Sequence, residues 1–204
     1  MENNANDTSE NGNNGTATDV TFTSTDPIRG TYEASLNGTT SFIDTNYTLP
    51  SGSNDFSISC WFKRDSTSRL DGVWTTNSGT GTNRQGLGLH ILTSNVLRLV
   101  TYDSAGGVAL ECLNPSTIAV DTWTHAVVTY DGGLCKLYVN NILQTETINQ
   151  VITAHYGSLK IGKYSQTDPN VFSGDIDQFR VFDRVLDGTE VYQLYAEGAR
   201  GTGL

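Results

Sequence analysis

The sequence predicts an all-β chain folded as an antiparallel sandwich with one short helix at its end. Three observations carry that expectation. Segments such as FSISCWFKR (56–64) alternate apolar and polar residues with period two. Turn texts fall between such segments at hairpin spacing. No helical periodicity intervenes before residue 187, which argues against a parallel sheet and for a sandwich.

Taken in order, residues 1–26 form a compositional zone of their own. They hold five acids (Glu2, Asp7, Glu10, Asp19 and Asp26), no base, and almost no large apolar side chain. Such text cannot bury enough surface to offset its ordering entropy, so an acidic polar arm, disordered in isolation, is expected here. Val20 and Phe22 would make a short docking strand at its end. If the arm is ordered, something outside the domain must hold it, such as other structural subunits of an assembly. Residues 27–204 are expected to be the sandwich domain. In FSISCWFKR, Phe56, Ile58, Cys60 and Phe62 face one side, while Ser57, Ser59, Trp61 and Lys63 face the other. Further strands are predicted at LGLHIL (87–92), NVLRLVTY (95–102), WTHAVVTY (123–130), LCKLYV (134–139), ILQTETI (142–148), SLKIGKY (158–164) and GDIDQFRVF (174–182). Turn residues at 51–53, 105–107, 131–133 and 140–141 separate them, and the Asn140–Asn141 pair is a two-residue hairpin signal because Asn tolerates positive φ. The closing helix starts at a capping-box-like Asp187 and Glu190, shows an apolar stripe of Val191, Leu194 and Tyr195, and is expected to stop at Gly198.

Composition narrows the function. The 204 residues carry 12 Lys and Arg against 22 Asp and Glu, a net charge of −10. Half of that charge lies in residues 1–26, so the sandwich itself is only mildly acidic. The acid excess argues against nucleic-acid binding, which needs clustered bases. No apolar run approaches the ~20 residues of a membrane-spanning helix. The start, MENNANDTSENGNN, has neither the basic nor the apolar region of a secretory signal. The three cysteines, Cys60, Cys112 and Cys135, lack zinc-ribbon spacing and sit in strand-like text, so buried free thiols are expected, with one disulfide as the alternative. Four Asn-x-Ser/Thr sequons, at Asn6, Asn14, Asn37 and Asn46, are what a Thr- and Asn-rich chain yields by chance.

An ordered set of segments resembles the laminin G-like jelly rolls of the concanavalin A-like lectin/glucanase superfamily. They are SLNGTTSFIDT (35–45), FSISCWFKRD (56–65), WTHAVVTYDGG (123–133), KLYVNN (136–141), LKIGKY (159–164) and FSGDIDQFRVFDRVLDGTEVYQLY (172–195), spanning about 31–197. The resemblance implies a concanavalin A-like antiparallel sandwich. It says less about function, because this fold hosts lectins, adhesion modules, spacers and glycosidases alike.

Each chemistry the fold invites has its own residue requirement. Glycosidases of this scaffold resemble one another in an E-x-D-x-x-E strand, and hydrolysis needs two carboxyls at set separations. The Glu residues after the arm (Glu33, Glu111, Glu146, Glu190 and Glu197) form no such motif, so no enzyme activity is expected. Many relatives of the fold bind one calcium, and the resemblance makes Asp44, Asp175 and Asp177 the candidate ligands, with backbone-bonded carboxylates as the alternative. His90, His125 and His155 are scattered, which leaves a zinc site without support; His125 matches the W-x-H strand of the resemblance and reads as structural. Carbohydrate binding needs an aromatic face ringed by amide, carboxylate or guanidinium groups. Arg69, Trp74, Asn83 and Arg84 in the long loop at 65–86, with Tyr102, Asp103 and Tyr164, are the candidates, and Trp74 reads equally as a core residue. Small Thr-, Asn- and Gly-rich sandwiches similar to this one are common on virions of tailed phages. The resemblance therefore implies a non-enzymatic virion structural or decoration protein, displayed on the particle surface and contacting host glycans. The alternative is a soluble or cell-surface lectin, calcium-dependent or not.

Overall fold

The computed structural model describes residues 2–52, 54–77, 85–102, 108–144, 147–155, 157–167 and 169–202. Among these residues fifteen strands precede one helix. They are β1 (Thr16–Thr18), β2 (Thr21–Thr23), β3 (Glu33–Asn37), β4 (Phe42–Asp44), β5 (Asp55–Arg64), β6 (Asp71–Thr75), β7 (Gly86–Ile91), β8 (Val96–Tyr102), β9 (Val108–Thr117), β10 (Thr124–Asp131), β11 (Leu134–Val139), β12 (Ile142–Leu143), β13 (Ile148–Asn149), β14 (Lys160–Ile161) and β15 (Ser173–Phe182), followed by α1 (Gly188–Thr202). One sheet has the order β1-β4-β14-β6-β7-β8-β9 and the other β12-β11-β10-β5-β15-β3-β2, with β13 pairing β11. The pairings within both are antiparallel. The expected sandwich is therefore present.

Alternation decides what lies between the sheets. Phe56, Ile58, Cys60 and Phe62 of β5 meet Leu87, Leu89 and Ile91 of β7 and Leu97 and Leu99 of β8 in the main core. The three cysteines are not joined in a disulfide and are buried in it. Burial, with the nearby Asp131 and Cys112, pushes the Cys135 thiol up to about 12, and burial alone pushes Cys60 further in the same direction, so both are inert thiols. The Asn140–Asn141 turn has both residues at positive φ, 48° and 66°, as its hairpin requires.

Three local expectations change. Residues 1–26 are held by the same chain: besides the expected docking strand, which is β2 paired with β3 at one sheet edge, β1 pairs β4 at the edge of the other, and the Gly15 amide donates to Ala5. Backbone pairing with the same chain supplies what side-chain burial could not. The strand β9, which carries Pro115, was not expected; as an edge strand it has an open side where proline's missing donor costs nothing. The helix runs through Gly198 instead of stopping there. A Cβ at that position would lie 2.3 Å from the Trp61 ring, so the glycine permits close helix-to-sheet approach and does not end the helix. The capping box does hold: Asp187 Oδ1 accepts from the Thr189 and Glu190 amides, and Glu190 Oε2 accepts from the Asp187 amide.

The outer face of the β5-β10-β15 sheet is closed by this helix. Trp61, which alternation points outward, stacks with both His125 (4.9 Å) and Tyr195 (5.7 Å), which are themselves 6.0 Å apart. Lys63 bridges Asp26 and Asp175 and lies over the Trp123 ring, and Trp123 Nε1 donates to Asp26, which ties residues 26–29 onto the same face.

Candidate functional site

Among the described residues no helix lies over the outer face of the other sheet. Core residues Leu87, Leu89, Ile91, Leu97 and Leu99 alternate with Gly88, His90, Arg98, Val100 and Tyr102, so the latter set faces away from the core. His90 and Arg98 are direct cross-strand partners, and Val100 stands opposite Glu111. The segment after β14 brings Tyr164 down onto this face. Gly72 permits it, since a Cβ there would fall 1.9 Å from the Tyr164 amide nitrogen.

The result is a polar and aromatic strip. Tyr164 packs on the His90 ring with centroids 4.2 Å apart. Its hydroxyl lies 3.3 Å from that of Tyr102 and accepts from Arg98 Nη2 at 3.4 Å. Arg98 Nη1 reaches Glu111 at 3.4 Å, and Asn77 donates to the Tyr164 carbonyl. His90 is fully buried, neither ring nitrogen has a hydrogen-bond partner, and Arg98 Nε has none either. Burial, and then the Arg98 charge, hold His90 well below the usual imidazole range, so it is neutral. A cleft of about 160 Å³ opens at one end of the strip, lined by Gln85, Gly86, Tyr102, Gln150, Val151 and Thr153 among others. Thr101 at its floor donates to Gln150 at 2.7 Å. Beside it His155 is fixed in one tautomer. Its Nε2 donates to the Pro50 carbonyl, so Nδ1 accepts from Thr76.

Of the residues expected to bind a ligand, Tyr102 and Tyr164 come together in this strip. They are only 5% and 8% exposed, so they present hydroxyl groups in place of the open ring faces expected. Trp74 is not a ligand platform: it is fully buried in the core, opposite Leu89 and Ile161. Arg69 is a clamp, bonding Asp71, the Gly38 carbonyl and the Val171 carbonyl. Asn83, Arg84 and Asp103 lie outside the described residues. His90, Arg98 and Glu111 were not singled out as a site. The alternation in LGLHIL and NVLRLVTY places the first two on polar faces, but only the strand register makes them neighbours.

The candidate calcium ligands do not fit an ion. Asp44 sits in β4 of one sheet, while Asp175 and Asp177 sit in β15 of the other. Asp44 pairs with Lys160 and accepts from Ser158. Asp175 faces Lys63 at 3.2 Å. Asp177 is fully buried and accepts from the Ile28, Arg29 and Gln178 amides. They are structural carboxylates, each with its own partners. Among the described residues no three His, Cys, Asp or Glu side chains group to hold a metal.

Comparison with known proteins agrees with the architecture. Residues 37–192 match the laminin G model of the concanavalin A-like lectin/glucanases superfamily. Similar solved structures include domain 4 of AbnA, an extracellular GH43 arabinanase from Geobacillus stearothermophilus, in complex with arabinotriose. It is 22% identical, with 95% of this chain and 93% of that one covered and a TM-score of 0.72. The botulinum neurotoxin serotype D binding domain is 17% identical at a TM-score of 0.71, covering 96% of this chain and 49% of its own. The serotype G binding domain is 19% identical at 0.65, covering 94% and 48%. The chain thus spans about half the length of the toxin domains it matches. The search of curated proteins returned no match. With three quarters of its length matched by the family model, the chain belongs to the concanavalin A-like lectin/glucanase superfamily.

Proposed function

We propose that this chain is a non-catalytic carbohydrate-binding module whose ligand enters the cleft beside Tyr102 and extends along the strip toward Arg98. The observation that carries this reading is the convergence of two tyrosine hydroxyls, a guanidinium and a carboxylate next to a polar-lined cleft on the sheet face that no helix covers. The likeness to a domain seen with arabinotriose lends support to it. The strip as described carries one carboxylate, Glu111, whereas glycoside hydrolysis requires two, and this favours binding over turnover.

Display on a virion surface is the second reading, drawn from the Thr-, Asn- and Gly-rich composition of the sandwich. Its anchoring would have to come from a surface other than a free arm, because β1 and β2 pair within the chain. Co-sedimentation with a particle tests it, and a monomer that associates with none would contradict it.

The binding reading is tested on a glycan array followed by calorimetry, with arabinotriose among the probes. Binding is expected, with an affinity that falls at least about tenfold in Tyr102→Ala, the loss of one well-placed contact. No signal for any glycan at millimolar concentration would overturn it.

A further inference from the structure

Arg98 is under-bonded for its degree of burial. Its side chain is 12% exposed, yet its two contacts, to Glu111 and to the Tyr164 hydroxyl, are both 3.4 Å long, and its Nε has no partner. Well-made charge-assisted bonds of guanidinium are ~2.7–2.9 Å. Directly across the ladder, His90 leaves both ring nitrogens unpartnered while fully buried. Arg98 Nε is therefore unsatisfied and neither His90 ring nitrogen makes a well-formed bond, where native proteins leave few such groups without a partner. Around them the held positions are firm, since Gly88 fits the His90 ring so closely that a Cβ would lie 2.3 Å from Nε2.

We infer that this pair is the recognition point for a carboxylate-bearing sugar within the proposed glycan site. A guanidinium presents parallel donors that a planar carboxylate matches two at a time. The incoming carboxylate would take the place of the Tyr164 hydroxyl, whose long contacts to Arg98 and Tyr102 hold it weakly, and would compete with Glu111 for the same cation. The remaining net charge of the protein is negative, so attraction for an anionic ligand is local to this pair. The inference rests on the glycan-binding reading and adds the ligand class.

Calorimetry with trigalacturonate and with its fully methyl-esterified form tests it, since the two share their rings and differ in charge. Trigalacturonate should bind at least about tenfold tighter than the ester, as expected for one charge-assisted pair, and its affinity should fall with added salt. Glu111→Gln, a change at a half-exposed position, should tighten trigalacturonate binding relative to that of the ester. Arg98→Lys should weaken trigalacturonate toward the ester value, and a thermal melt shows whether that variant is folded. Equal binding of both forms, or tighter binding of the ester, would overturn the anionic ligand class while leaving glycan binding in place. The same holds if neither binds but a neutral glycan does. Absence of any glycan binding would instead remove the reading on which the inference rests.

Discussion

The two outer faces of the sandwich each carry a buried histidine under an aromatic ring, and they treat it differently. On the β5-β10 face, His125 Nε2 is 2.9 Å from Ser59 Oγ, and Trp61 and Tyr195 enclose the ring beneath the helix. On the β7-β8 face, His90 sits under Tyr164 with both nitrogens unpartnered. The first face is a packed joint: the helix, the Arg180–Glu197–Arg29 ion pairs and residues 26–29 close it. The second is a mostly buried polar strip beside a cleft. The closed face leaves one ring nitrogen, His125 Nδ1, without a partner, whereas the other leaves Arg98 Nε and the His90 ring nitrogens without a well-formed bond, and the expected effects of substitution divide accordingly.

The largest effect should come from the closed face. Trp61→Ala removes the ring on which the helix rests and should cost about 3–5 kcal/mol, read as a lower denaturant midpoint; a loss below about 1 kcal/mol would mean that the helix is not docked there. Next, Gly198→Ala places a methyl against the same ring and should cost about 1–3 kcal/mol, without altering the glycan affinity of the folded protein. His125→Leu should cost a similar amount, because Ser59 is left buried without its partner.

Acidification should weaken the fold in a window set by the histidines. Burial holds His125 at about 3 and keeps His90 and His155 below their ordinary value. The unfolded chain therefore takes up protons near pH 6.5 that the folded chain refuses. This contribution is fully present above pH 6.5 and declines as pH falls, by about 1.4 kcal/mol per pH unit for each histidine concerned. Denaturant midpoints at pH 7, 6 and 5 measure it, and His125→Leu should remove one proton's worth of that slope. Smaller again is the helix cap: Asp187→Ala should cost about 1 kcal/mol. Smallest is His90→Leu, which removes an unsatisfied group and should change stability by less than about 0.5 kcal/mol or raise it. A penalty for His90→Leu as large as that for His125→Leu would erase the distinction between the faces.

Much of the fold was legible because alternation is a local property. Phe56 to Phe62 declare their faces without reference to any partner, and the Asp187 cap and the Asn140–Asn141 turn depend on residues close in sequence. What stayed hidden depends on contacts across the chain. Gly198 reads as a helix stop until Trp61 is placed against it. The apolar-poor text at 16–18 reads as disordered until strand β4 offers it hydrogen bonds, whereas Val20 and Phe22 already mark the strand that becomes β2. Trp74 carries the same letter whether in a core or on a surface, and its pairing with Ile161 and Leu89 decides between them. The binding strip was half legible for the same reason. Tyr102 and Tyr164 were named, while Arg98 and Glu111 become partners only through the register of β8 on β9.

A titration of the labelled protein with its strongest-binding glycan, followed by amide NMR shifts, bears on the whole account. Perturbations should cluster at Gly86, Gly88, His90, Arg98, Tyr102, Glu111 and Tyr164, with the helix Gly188–Thr202 and the Trp61 joint unmoved. Shifts confined to the helix side, or scattered with no cluster on the β7-β8 face, would contradict it.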